Sequence, residues 1–81
     1  MTELFYTIAD ADCAAARRAV LDRDLKEQVN FRNLDYPEVA ADFTARGGRA
    51  LPALWDGELL HEGLPAVLAE LDRMTADEAR S

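Results

Sequence analysis

The sequence predicts one small α/β domain, a mixed four-stranded sheet with helices on both faces. Three observations lead there. Hydrophobic patterning alternates between strand-like and helix-like in the order β-α-β-α-β-β-α along 81 residues, a length suited to a single domain. The opening β-α-β unit requires two parallel strands joined by a right-handed crossover. Asp56-Gly57, between two apolar runs, marks a hairpin and therefore an antiparallel half. One mixed sheet covered on both sides accommodates both halves.

The elements follow from the residues. Leu4, Phe5, Tyr6 and Ile8 make an almost continuous apolar run, the pattern of a strand buried on both faces. Asp10 and Asp12 can each cap a following helix. Cys13 to Leu25 is rich in Ala and Arg, with Ala16, Ala19, Val20 and Leu25 on one face. Val29 and Phe31 alternate with polar neighbours, predicting a second strand over Val29–Leu34. Pro37 opens a helix to about Arg46 that turns Val39, Ala40 and Phe43 inward. Gly47-Gly48 stops it, with one glycine in the left-handed conformation. Leu51–Trp55 and Glu58–His61 are the hairpin strands, and Leu64, Val67, Leu68 and Leu71 place a last helix over Leu64–Met74. Residues 1–75 form the domain and residues 76–81 a frayed polar tail.

Composition narrows the function classes. A net charge of −7 gives no attraction to nucleic acid or anionic membrane. The apolar runs are far too short for a membrane span, and Met1-Thr2-Glu3 does not open a secretory signal. The single cysteine, Cys13, excludes an internal disulfide and suits a reducing, cytoplasmic compartment. His61, the one histidine, has no second histidine or nearby cysteine, so no metal site is expected and an exposed hairpin position is. The pairs Arg17-Arg18 and Asp22-Arg23-Asp24 read as a solvated helix face.

The element order, with Cys13 between the first strand and first helix, Ala50-Leu51-Pro52 before the third strand, and Glu62-Gly63 after the fourth, resembles the thioredoxin fold in its minimal glutaredoxin form. Leu51-Pro52-Ala53-Leu54 through His61-Glu62-Gly63 also looks like the N-terminal domain of glutathione transferases. The resemblance implies a sheet ordered 2-1-3-4. It implies a cis peptide at Pro52, opening the strand edge to a peptide or thiol substrate. The usual Cys-Pro-Tyr-Cys motif is degenerate here, and two registers remain open. In one, Asp10-Ala11-Asp12-Cys13 replaces it, with Asp10 in the attacking position and Cys13 in the resolving one. In the other, Cys13 opens the motif as the attacking thiol of a monothiol site.

A thiol attacks as thiolate, so its surroundings decide its chemistry. A helix N-terminus favours the anion by about 0.3–1 kcal/mol. A carboxylate ~6 Å away opposes it by about 2–3 kcal/mol at an effective dielectric of ~20. Asp10 and Asp12 together therefore predict a thiol that is not strongly activated. By resemblance, glutathione would be held by the Leu51 backbone beside Pro52, by Arg49 or Arg46 at its glycine carboxylate, and by Glu62 with the Gly63-Leu64 amides at its γ-glutamyl end. The expectation is a glutaredoxin-like protein of the thiol-disulfide class with weak monothiol activity through Cys13 or none, monomeric or weakly dimeric, taking glutathione or a protein thiol. It needs no resident cofactor. The alternative is a catalytically inactive thioredoxin-fold module that binds a protein or peptide.

Overall fold

A computed structural model describes residues 1–80. The chain runs β1 (Thr2–Tyr6), α1 (Ala11–Asp22), β2 (Val29–Asn33), α2 (Pro37–Ala45), β3 (Ala53–Trp55), β4 (Leu60–Glu62) and α3 (Leu64–Arg80). The four strands form one mixed sheet in the order β2-β1-β3-β4. β1 and β2 are parallel, with Leu4 beside Phe31 and Tyr6 beside Asn33. β3 runs antiparallel to both β1 and β4.

Successive strand residues point to opposite faces, and the two faces hold separate cores. Leu4 and Leu54 pack with Ala16, Ala19 and Val20 of α1 and Val67 and Leu71 of α3. Phe5 and Ala53 pack with Val39 and Phe43 of α2, the Phe5 and Phe43 rings lying 5.2 Å apart. Helices therefore cover both faces, α1 and α3 on one and α2 on the other.

The element bounds differ from the expected ones for local reasons. β1 starts two residues earlier and ends at Tyr6, where its partners end, so Ile8 lies beyond the sheet and is 62% exposed. α1 stops at Asp22 because Asp24 takes a left-handed φ of 56°. The Asp24 N–H then donates to the Leu21 carbonyl and the Leu25 N–H to that of Val20, the Schellman closure. Leu25 is thereby tucked into the core outside the helix. α2 closes the same way through Gly47, φ 85°, and Gly48. Gly48 is needed for space, since a Cβ there would meet the Phe43 ring at 2.4 Å.

The hairpin loop spans residues 56–59 rather than Asp56-Gly57 alone. The Asp56 carboxylate accepts from the Glu58 and Leu59 N–H groups at 2.8 and 2.9 Å, taking both donors out of the ladder and delaying β4 to Leu60. β3 begins only after Pro52, which has no N–H to pair. α3 runs past Met74 to Arg80, so residues 76–80 are helical where a frayed tail was expected. Arg73 spans one helical turn in each direction, reaching Glu70 and, at 2.7 Å, Asp77. Ser81 lies outside the described residues.

Candidate functional site

The topology gathers the candidate residues at one end of the sheet. β1, β2 and β4 all end there and β3 begins there. The loops carrying Asp10, Asp35, Pro52 and Gly63 therefore share one rim. Thr7 Oγ1 donates to Asp35 Oδ1 at 3.2 Å, and the Gly63 N–H to the Pro52 carbonyl at 2.8 Å, tying neighbouring loops together.

Asp10 is the N-cap of α1. Its carboxylate accepts from the Cys13 N–H at 2.8 Å, which satisfies one of the free donors of the first turn. This capping sets the local geometry. Asp10 and Asp12 are exposed, whereas Cys13, three residues into the motif, turns beneath them and is 0% exposed. Burial pushes the thiol pKa up. An N–H of Thr7 aimed at the sulfur works against that, and the hydrogen bond and charge of Asp10 reinforce it. The expected lack of activation thus has a different leading cause. Removal from water is the largest cause, ahead of the charges.

The Leu51–Pro52 peptide is cis. The N–H and C=O of Leu51 have no hydrogen-bond partner among the described residues. Glu62 holds the segment just before it. One carboxylate oxygen of Glu62 accepts from the Arg49 N–H at 2.6 Å and the Ala50 N–H at 2.8 Å. These two backbone bonds lower its pKa. Glu62 is therefore a clamp on the loop that leads into Leu51, which is half-buried, and Pro52, whose ring is fully buried rather than open at a strand edge. Gly63, φ 90°, turns the chain into α3, where its carbonyl receives the Val67 N–H at 3.0 Å. Arg49 is exposed and in no ion pair among the described residues.

Arg46, the other candidate for a ligand carboxylate, is committed elsewhere. It donates to Glu3 at 2.5 Å and to Asp42 at 2.8 and 3.0 Å, while Arg32 bridges the same two acids. Its guanidinium lies 4.8 Å over the Trp55 ring and 5.3 Å over Phe5. This network belongs to the α2 face, so Arg46 is half-buried structure.

His61 is also not the expected exposed hairpin histidine. Its Nε2 sits 2.8 Å from Asp56 Oδ2 and 3.9 Å from Glu70 Oε1, and Glu70 is 7% exposed. The three side chains bring their donor atoms within 4.8 Å. Every carboxylate oxygen already has a partner. Asp56 Oδ1 takes two N–H groups and Oδ2 takes His61, while both Glu70 oxygens take Arg73. The cluster fastens the hairpin to α3. No spacing in the sequence signals it, because Glu70 arrives from a separate element.

Sequence reading also missed Thr7, Ile8, Asp35 and Tyr36. The signal available was topological, since the residues following two parallel strands meet at one end of the sheet. At the opposite end, an open depression of about 300 Å³ is lined by Asp24, Lys26, Glu27 and Gln28. No helix among the described residues is long and apolar enough to cross a membrane. No protein-family model, curated protein or solved structure matches the chain.

Proposed function

We propose that the chain is a thioredoxin-fold domain that has lost thiol-disulfide chemistry and binds an extended peptide segment of a partner protein. The fold assignment is supported by the sheet order 2-1-3-4 and by the cis-proline ahead of β3. The observation that carries the functional reading is the burial of Cys13 behind its capping residue. The only thiol is withdrawn from solvent and its pKa raised, while the exposed N-cap position holds Asp10, which cannot form a mixed disulfide. This matches the register in which Asp10 stands in the attacking position. What remains is backbone. The unpartnered N–H and C=O of the half-buried Leu51, just ahead of β3, would give an extended peptide one donor and one acceptor. A lone unpaired cysteine and this chemistry suit the cytoplasm.

The test is alkylation of Cys13 by iodoacetamide against pH, native and in denaturant. The expected outcome is native labelling slower by at least about a hundredfold, recovered on unfolding, because only the open state presents the thiol. A parallel assay with a glutathione mixed disulfide is expected to show no turnover. Fast native labelling that titrates well below the free-cysteine value of about 8.5 would sink this reading in favour of a monothiol glutaredoxin-like enzyme.

A further inference from the structure

We propose that the peptide taken up at the rim beside Leu51 is basic, an extended segment in which Lys or Arg residues flank an aliphatic side chain. The inference rests on the peptide-binding reading above and adds the chemistry of the partner.

Two observations carry it. The first is apolar. Ile8 and Tyr36, 62% and 59% exposed, are two of the five exposed large hydrophobic residues among the described ones. They follow β1 and β2 at the same end of the sheet, and the Thr7–Asp35 hydrogen bond joins their loops. An apolar side chain entering there would cover surface that no part of the described chain covers.

The second is charge. Asp10, Asp12, Asp35, Glu38 and Glu62 surround this end, and none of them is in an ion pair among the described residues. Five arginines are used elsewhere. Arg18 and Arg23 pair with Asp22 and Asp72, Arg32 and Arg46 with Glu3 and Asp42, and Arg73 with Glu70 and Asp77. Two basic residues share the rim. Arg49 is exposed, and Arg17 lies over the Tyr6 ring at 4.8 Å. Five carboxylates against two guanidinium groups leave a field that favours a cationic partner and repels an acidic one. The apolar contact sets where the segment sits, and the charge sets which segment is accepted.

The full chain would be titrated against a fluorescein-labelled octapeptide alternating Arg with Leu and Val, and against its counterpart with Glu for every Arg. The basic peptide is expected to bind at least about tenfold more tightly, with affinity falling about fivefold between ~50 and ~300 mM NaCl. Amide shifts in NMR spectra are expected at Ile8, Tyr36 and Leu51. The double variant Asp12→Lys/Glu38→Lys should weaken the basic peptide by about tenfold, and the milder Asp12→Asn/Glu38→Gln by about threefold. The control Asp24→Lys/Glu27→Lys, at the opposite end, should stay within about twofold. Thermal melts verify that each variant folds. Equal affinity for both peptides, or equal loss in the rim and control variants, overturns the charge preference and leaves the peptide-binding reading standing. No binding of either peptide at about millimolar protein overturns both.

Discussion

The two faces of the sheet are covered by different means. On one, α1 and α3 bring Ala16, Val20, Val67 and Leu71 against Leu4 and Leu54, hydrocarbon contact that fills the centre of the face, with His61 and Glu70 meeting at its hairpin edge. On the other, α2 is a single short helix contributing Val39 and Phe43. The cover is completed by the stems and guanidinium groups of Arg32 and Arg46, which lie over Phe5, with Arg46 also over Trp55. Glu3 and Asp42 hold those arginines in place. Where two helices cover a face, apolar burial fills its centre and charge is confined to the hairpin edge. Where one helix leaves the face partly open, amphipathic side chains close it, and their charges must then be balanced.

The comparison is most easily broken on the dry face. Leu71→Ala removes a fully buried side chain and leaves a cavity, with an expected loss of about 3 kcal/mol in chemical denaturation, large for a domain of this size. A loss below about 1 kcal/mol would mean that α3 is not tightly docked.

Next in size is the ionic face. Glu3→Gln leaves Arg32 and Arg46 without their shared carboxylate. Because the arginines remain partly solvated, the expected loss is about 2 kcal/mol rather than that of a fully buried pair. Acid separates the two faces further. Burial works to raise the Glu3 carboxyl, but hydrogen bonds and charge from Arg46 and Arg32 outweigh it, so its pKa is lowered. Asp42 is lowered as well, chiefly by its hydrogen bond to Arg46. Carboxylates depressed in the folded state contribute stability above their unfolded pKa of about 4 and lose it as pH falls through the folded value. The gap between wild type and Glu3→Gln should therefore narrow as pH falls from about 5 toward 2, while the Leu71→Ala deficit persists. A gap independent of pH would mean that Glu3 acts by packing alone.

The smallest effect is expected at the site. Glu62→Gln weakens the two backbone hydrogen bonds that hold Arg49 and Ala50, for about 1 kcal/mol or less. Its readout is faster hydrogen exchange at those two amides with the rest of the sheet unchanged. Global acceleration would show that Glu62 supports the fold as a whole.

The ends of the two shorter helices show what was legible. α2 ends at Gly47, and a glycine after an apolar helical run announces a left-handed cap. α1 ends by the same hydrogen-bond pattern with Asp24 in the left-handed position, and nothing in Asp-Arg-Asp-Leu singles that aspartate out. The cap of α1 at Asp10 was legible as one of two candidates, and the cis-proline at Pro52 came from resemblance rather than from pattern. The commitment of Arg46 was not legible because its partner Glu3 lies 43 residues away. His61 was misjudged because Glu70 meets it only after α3 folds back.

Periodicity, glycine and proline placement and the Asp-Gly turn determined the order of elements and hence the mixed sheet, because these signals are local and act within a few residues. Tertiary structure alone decided that Cys13 is sealed while Asp10 is open, that Glu62 clamps a loop, and that Arg32, Arg46 and Arg73 are drawn to Glu3, Asp42 and Glu70 while the rim carboxylates form no ion pair among the described residues. Burial and ion pairing depend on which distant groups share a neighbourhood, and the packing of α1, α2 and α3 on the sheet sets that neighbourhood.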